Sequence, residues 1–189
     1  MSGRKYSAET TGPEIESFLK PVLKHADFRV RFEVQEPDNP HPEFENPELI
    51  VKFSGPDVEI LLANRAEVLL ALEHLTMEAL GMPPEDHSRL CFDANDYRAL
   101  RIEELRLSAA AAADKVRRTG APFSFSPMTS RERRIVHLAL RDEPGVRSES
   151  TGFGPRRQVV VYPAGAPAAA QRTAPGPAGP QYSTRRRRR

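Results

Sequence analysis

The chain has few of the residues that build redox, metal or membrane functions. Among its 189 residues there is one cysteine, Cys91, and no tryptophan. A single cysteine excludes an internal disulfide framework and a paired-cysteine zinc site. Apolar runs such as Val68–Leu72 are far shorter than the roughly 20 residues that span a bilayer. The start of the chain, MSGRKYSAETTG, lacks the apolar core of a secretory signal, so the expected location is the reducing cytoplasm.

Catalytic and cofactor motifs are also missing from the sequence. It contains no GxSxG, P-loop, HExxH or GxGxxG pattern. The histidines at positions 25, 41, 74 and 87 are scattered without metal-ligand spacing. Asp93 and Asp96 lie close together, but Asp-Ala-Asn-Asp is typical of a turn. We therefore expect no enzyme activity, no catalytic residue, no metal and no cofactor.

The charges are unevenly distributed along the chain. In total there are 28 Lys and Arg, 26 Asp and Glu, and a net charge of +2. Residues 1–97 hold nine basic and 19 acidic side chains, a net charge of −10. Residues 98–163 hold 13 basic and seven acidic, and residues 164–189 hold six basic and none acidic, so each segment carries +6. The basic segments suit a polyanionic partner, although a solvated charged surface explains the same numbers.

Hydrophobic periodicity predicts helices and strands of mixed α+β type between residues 13 and 163. The length suits one ordinary domain or two small ones, and the change of charge near residue 97 divides these elements into two parts, called here the first and the second module. The segments 1–12 and 164–189 are predicted to be disordered because they are polar or rich in Ala, Pro and Gly. In the first module the predicted elements are a helix from Pro13 that Pro21 could kink, strands over 28–34 and 48–53, a helical pattern over 57–80, and a strand over 88–92 followed by a turn over 93–96.

The second module is predicted to begin with a long helix from Asp96 to Thr119. Its expected core stripe is Tyr97, Leu100, Leu105, Ala109, Ala112 and Val116. A short strand over 123–125 follows, and then a helix that opens with a capping box from Thr129 to Glu132. Strands over 146–151 and 157–162 complete the module as an antiparallel hairpin.

The helix after Thr129 carries an Arg-xxx-His motif, formed by Arg133 and His137. Residues four apart lie on one face of a helix. Guanidinium groups match phosphate oxygens, and histidine can donate to phosphate or stack on a base. Arg131 and Arg134 flank the pair, which favours a single-strand nucleic-acid site. The alternative is a pair of exposed arginines beside a histidine that packs against the sheet.

A longer segment carries a family resemblance. The sequence ERRIVHLALRDEPGVRSES, preceded by KVRRTG and PMTS and followed by GPRRQVVVYP, resembles the R-three-H domain, named for its Arg-xxx-His motif. The elements before it are similar to the KH domain that the bacterial Jag family (SpoIIIJ-associated, also called KhpB or EloR) places directly ahead. The resemblance covers roughly residues 13–163. It implies a type II KH-like domain over 13–96 and an R-three-H domain over 97–163.

The resemblance also implies a function, a noncatalytic protein that binds single-stranded RNA. Arg133 and His137 would contact the nucleic acid, helped by a set of basic neighbours: Arg131, Arg134, Lys115, Arg117, Arg118, Arg156 and Arg157. Relatives suggest a post-transcriptional regulator linked to cell envelope growth and division, with a small single-KH protein as partner. No separate Jag-N domain is recognised before residue 13, so its contacts are not carried over.

Some of these basic residues have a structural alternative. Lys115, Arg117 and Arg118 are predicted to lie at a helix end, where cations also stabilise the helix dipole. The five arginines from Arg185 to Arg189 would add salt-sensitive phosphate affinity, or act only as a solubilising or interaction tail.

The loop that clamps nucleic acid in KH domains departs from the family pattern. The family has GxxG there, whereas this chain has Ala63, Asn64, Arg65 and Ala66. Alanine adds a Cβ where the backbone must approach phosphate, and it disfavours left-handed dihedrals. The front half is also strongly acidic. We hypothesise that this half serves as a scaffold or protein-contact surface and does not grip RNA in the usual manner.

Two other functions compete with RNA binding. In one, the protein is an interaction adaptor whose acidic half docks a partner while its basic half touches anionic surfaces nonspecifically. In the other, His137 is a general base, which needs an orienting carboxylate. Its helix neighbours are Arg133 and Arg141, which supply none, so the sequence disfavours an enzyme.

Overall fold

The computed structural model describes residues 5–37 and 42–166. Within these ranges the chain forms two three-stranded sheets, each packed against helices, which confirms the predicted α+β class. The predicted tail over 164–189 lies outside the described residues from position 167 onward.

The first module contains the elements α1 (Gly12–His25), β1 (Arg31–Gln35), β2 (Leu49–Ser54), α2 (Val58–Ala79) and β3 (Leu90–Ala94). Its sheet has the order β1-β2-β3, with β1 antiparallel and β3 parallel to β2. Pro21 lies within α1 and does not interrupt it. Because apolar residues of the helices and β2–β3 interdigitate, residues such as Ile15, Leu61 and Phe92 are fully buried.

The start of the chain differs from the expected disordered segment over 1–12. Tyr6 donates its backbone amide to Glu48 (2.9 Å) and its hydroxyl to Asp86 (2.9 Å). Lys5 forms an ion pair with Asp86, and Thr11 is buried. These polar contacts hold residues 5–11 against the module, although the segment has too few apolar residues to signal packing in its sequence.

The third strand and the turn after it also begin later than predicted. A 3₁₀ helix covers Pro84–Arg89, and β3 continues through Asp93 and Ala94. Asp93 is buried and accepts the amide of Arg98 (3.0 Å), so it belongs to the strand end and not to a turn. The turn itself consists of Asn95 and Asp96, both with positive φ.

The second module contains α3 (Tyr97–Thr119), β4 (Phe123–Ser124), α4 (Ser130–Ala139), β5 (Val146–Thr151) and β6 (Gln158–Pro163). Its antiparallel sheet has the order β4-β6-β5, which confirms the predicted hairpin of β5 and β6. The sheet packs on α3 and α4 through apolar residues that include Val116, Val136 and Val159.

The predicted core stripe of α3 is wrong at one position. Leu100 is 67% exposed, whereas Ile102 is buried. The buried stripe runs at spacings of three and four through Ile102, Leu105, Ala109, Ala112 and Val116. Arg98, with 14% of its side chain exposed, continues this row by one more turn, so a pattern of apolar residues alone places the stripe on the wrong face at this end.

A buried ion cluster joins the two modules. Arg98 donates to Glu73, to both oxygens of Glu45 (3.0 and 3.1 Å) and to the carbonyl of Phe92 (2.8 Å). Burial lowers the pKa of Arg98, but the carboxylates of Glu73 and Glu45 outweigh it and raise that pKa above its ordinary value. Glu73 is 7% exposed and also accepts the amide of Phe92 (2.8 Å).

Arg131 at the start of α4 completes this junction. Its guanidinium donates to the carbonyls of His87 (2.6 Å) and Leu90 (3.0 Å) and to Sγ of Cys91 (3.0 Å). It also lies 3.4 Å from Glu73. Arg131 therefore fastens the second module to the end of the first.

Removing Arg98 is predicted to destabilise the protein strongly. Arg98→Ala leaves Glu73 buried without its main cation, and breaking such a pair costs about 3–5 kcal/mol of the free energy of unfolding. The matched control is Lys20→Ala, which removes an exposed ion pair with Glu16 and costs about 0.5 kcal/mol. Urea unfolding followed by circular dichroism measures both. Equal losses in the two variants would show that the cluster does not stabilise the junction.

Candidate nucleic-acid interface

The helix that carries the Arg-xxx-His motif starts at a capping box, as predicted. The Thr129 hydroxyl accepts the amide of Glu132 (3.3 Å), and the Glu132 carboxylate accepts the amide of Thr129 (2.8 Å). Arg101 donates to the same carboxylate (2.8 Å), which ties the start of α4 to α3. These bonds fix the first turn, so the side chains that follow have defined positions.

Arg133 is largely buried on α4, with 8% of its surface exposed. Its guanidinium donates to the carbonyl of Met128 (2.9 Å) and to the hydroxyl of Ser130 (2.8 Å). Both partners are neutral. Burial first, and then the charge of Arg157, lower the pKa of Arg133, while Glu132 opposes the shift. The cation is thus held in place without a bonded carboxylate among the described residues.

His137 lies one helical turn further along and faces strand β5. Its Nδ1 is 2.7 Å from the hydroxyl of Ser148, and its Nε2 is 2.9 Å from the hydroxyl of Ser150. Burial, followed by the charges of Arg133 and Arg157, lowers the pKa of His137 below its ordinary value. The imidazole is therefore neutral at neutral pH, and both ring nitrogens meet hydroxyl groups.

The structure brings together only part of the predicted basic set. Arg157 is exposed beside Arg133 and His137, and Arg156 and Arg134 are exposed on the neighbouring hairpin and on α4. Arg131 faces the module junction instead of this site, because its donors are used there.

The three cations at the end of α3 have separate environments. Arg117 donates to Glu143 (2.9 Å) and to the carbonyl of Pro144 (3.1 Å), and it pairs with Asp114. Lys115 lies over the ring of Phe123, 5.1 Å from its centre. Arg118 is exposed. Arg117 therefore holds the α4–β5 turn, which agrees with a structural role.

The loop over residues 63–66 keeps a left-handed turn without glycine. Asn64, Arg65 and Ala66 have φ values of 52°, 63° and 59°, and they divide α2 into two helical segments. Left-handed backbone costs roughly 1 kcal/mol in a residue with a Cβ. Two contacts of the loop offset this cost. Ala66 is fully buried in the core, and Arg65 donates to the carbonyl of Pro127 (3.1 Å).

That loop forms one wall of an open groove between the two modules. The groove has a volume of about 810 Å³, within the range of about 300–1,000 Å³ that ligand sites occupy. The first module contributes Asn64, Arg65, Glu67 and Leu70. The second contributes Pro127, Met128, Thr129, Ser130, Glu132, Arg133, Gly154, Pro155 and Arg157.

Residues 103–163 match the family model of the R-three-H domain. This part of the chain is therefore an R-three-H domain. The chain is 35% identical over 114 residues to the RNA-binding protein KhpB of Clostridium symbiosum, which covers 60% of this chain and 51% of that protein. It is 34% identical over 111 residues to the RNA-binding protein KhpB of Bacillus subtilis (strain 168), and this match covers 58% of this chain and 53% of that protein. The RNA-binding protein KhpB of Lactiplantibacillus plantarum is 26% identical over 161 residues, which cover 85% of this chain and 48% of that protein.

The resemblance to the Jag family is thereby confirmed, and the chain is a homologue of the KhpB proteins. It spans about half the length of the curated relatives it matches. Their names describe RNA-binding proteins and not enzymes.

Two polar residues of the R-three-H domain that contact His137 were not predicted from the sequence. Ser148 and Ser150 bond the imidazole of His137, and their alternation on one face of β5 is the signal that was available. The proximity of Arg65 to the site had no such signal, because it depends on how the two modules pack.

In the described part of the chain no cluster of metal-binding side chains occurs, and none of its helices has the length and apolar character of a membrane span.

The lowered pKa of His137 is directly testable by nuclear magnetic resonance. We expect its ring to titrate below the ordinary value of about 6.5. Arg157→Gln removes a nearby positive charge and should raise the pKa of His137, whereas Arg31→Gln on the exposed face of β1 should not. As pH falls below about 6.5, the unfolded chain binds a proton that the folded chain resists, so His137 contributes a loss of stability in acid. A wild-type pKa at or above 6.5 would contradict this description.

Proposed function

We propose that this protein binds single-stranded RNA in the groove between its two modules. The observation that carries the proposal is the set of three arginines on the groove walls, Arg65, Arg133 and Arg157. Guanidinium groups suit phosphate oxygens geometrically, and phosphate contacts supply most nonspecific affinity for nucleic acid.

The electrostatics of the R-three-H domain support an anionic ligand. Burial is the main reason why the pKa values of Arg133 and His137 are lowered, and the charge of Arg157 lowers both further, which places several basic groups close together at this site. A bound phosphate would offset part of the repulsion between these arginines, which favours its binding. The names of the relatives, RNA-binding protein KhpB, support RNA as the polyanion.

The first module has a supporting part in this proposal. We assign residues 13–96 to a KH-like domain, residues 97–163 to the R-three-H domain, and residues 164–189 to a basic tail. The acidic KH-like domain orients α4 through Glu73 and contributes Asn64 and Arg65 to the groove. It does not grip RNA in the usual KH manner, since Ala63 and Ala66 replace both glycines of the clamp.

The wider role follows from the family. We propose a cytoplasmic post-transcriptional regulator connected with cell envelope growth, division and cell shape, with a small single-KH protein as a partner. The remaining predicted contacts, Arg134, Arg156, Lys115 and Arg118, are exposed, and we propose that they add to the basic surface of the R-three-H domain.

The first module also supports an alternative function, that of an interaction adaptor. Its excess of acidic side chains gives a basic partner protein a docking surface. In that case the basic half touches anionic surfaces without preference for single strands. A catalytic role receives no support, because hydroxyl groups and not an orienting carboxylate bond both nitrogens of His137.

Salt-dependent binding of a single-stranded RNA tests the groove. We expect Arg157→Ala in the full chain to weaken binding to all sequences alike and to reduce the salt slope by about 0.7, the value for one lost phosphate contact on a single strand. Arg157 is exposed, so the variant should fold normally. Fluorescence anisotropy at two or more salt concentrations measures the effect.

Two controls separate the groove from other basic surfaces. Arg31→Ala removes an exposed arginine outside the groove and should leave affinity and slope unchanged. Removal of residues 164–189 should lower nonspecific affinity while the effect of Arg157→Ala persists. If Arg157→Ala has no effect and the truncation abolishes binding, the tail is the binding element and the proposal fails.

A further inference from the structure

We propose that Phe153, at the tip of the β5–β6 hairpin, stacks on a nucleobase of the strand that the groove holds. This inference rests on the proposed function, and it adds a base contact to a site described so far through its charges alone. The ligand class is a single-stranded nucleic acid with at least one unpaired base beside the groove.

Exposure distinguishes Phe153 from the other aromatic residues of the second module. Its side chain is 67% exposed, which is unusual for so apolar a group. Phe123 and Phe125 pack on each other and on the core, 5.2 Å between ring centres. Tyr162 is covered by the guanidinium of Arg147, 4.6 Å from the ring centre, and Tyr97 packs against the first core. Of these five rings, Phe153 alone is largely open to a base.

The backbone of the hairpin tip that carries this ring has a defined conformation. The amide of Arg156 donates to the carbonyl of Phe153 (3.1 Å), and the amide of Arg157 donates to that of Gly154 (3.1 Å). Gly152 has a φ of +89°, and a Cβ there would approach the carbonyl oxygen of Arg156 to 2.7 Å. A close turn of this kind requires glycine. The backbone beneath the ring is therefore preorganised, which lowers that part of the entropy cost of binding.

The residues that follow the ring connect it to the groove. Gly154, Pro155 and Arg157 all line the groove, and Arg156 is exposed beside them. A phosphate held by Arg157 brings its own base within reach of the hairpin tip. An exposed ring next to exposed guanidinium groups is the combination that single-strand binding proteins use, with the ring for bases and the cations for the backbone.

A tryptophan at this position reports stacking directly. The chain contains no tryptophan, so Phe153→Trp introduces a single tryptophan, which can be excited selectively over the tyrosines and can stack as the phenyl ring does. We expect its fluorescence to be strongly quenched when a single-stranded oligonucleotide binds. The control is Leu107→Trp, at a site on α3 that is 70% exposed and outside the groove, where no quenching is expected.

A second measurement separates stacking from apolar contact. Phe153→Leu keeps an apolar side chain but removes the π-face, and we expect about tenfold weaker binding of an oligonucleotide with bases. Binding of a base-free phosphodiester oligomer of equal length should stay unchanged, because only phosphate contacts remain. Circular dichroism checks that the variants fold.

The outcomes distinguish this inference from the proposed function. If the wild-type chain binds neither oligomer, the proposed function fails and the stacking role fails with it. If the wild-type chain binds, Arg157→Ala weakens binding, and Phe153→Trp is not quenched, then the groove stands and Phe153 has no stacking role. If Phe153→Leu loses the same amount of binding affinity for both oligomers, the stacking role is also overturned.

Discussion

The carboxylate of Glu73 is the point on which the arrangement of the two modules depends. It lies on α2 of the first module, is 7% exposed, and receives Arg98 from α3 and Arg131 from α4. Charges this deeply buried must be paired, or they cost several kcal/mol. Because α3 and α4 each supply a cation to the same acid, a shift of either helix would weaken the pairing of this buried charge. The shape of the groove therefore depends on how Glu73, Arg98 and Arg131 hold the two modules together.

The junction also explains why the Arg-xxx-His face of α4 is available to a ligand. Arg131 turns toward the first module, while Arg133, two residues later on α4, turns toward the groove. At the junction each cation meets a carboxylate. At the groove, the bonds of Arg133 to the described residues are to a carbonyl and a hydroxyl, and Arg157 adds further positive charge. The protein thus neutralises its buried cations at the module contact and leaves those of the proposed RNA site for a ligand.

Most helices and strands were predictable because local patterns specify them. The capping box at Thr129, the hairpin of β5 and β6, and the helical pattern on both sides of residues 63–66 all follow from short-range chemistry. The failures have a common cause in contacts between distant residues. Leu100 looked like core because apolar spacing cannot reveal that Arg98, and not Leu100, continues the buried row of α3 toward its start.

The same limit applies to the candidate site. Arg131 and Arg133 are both arginines on α4. Only the packing of the modules directs Arg131 to the junction and Arg133 to the groove. The left-handed loop of Asn64, Arg65 and Ala66 is equally hidden, since the surrounding fold imposes dihedral angles that alanine and arginine disfavour. Sequence therefore located the motif on α4, whereas the opposite wall of the groove required the structure.

The most direct test of the account is a map of the backbone amides that change when single-stranded RNA binds to the full chain. Nuclear magnetic resonance shift perturbations provide it. The account predicts changes in three separated segments that share the groove: residues 63–67, 127–137 and 152–158. Perturbations confined to residues outside these segments, or to the arginine tail alone, would contradict it.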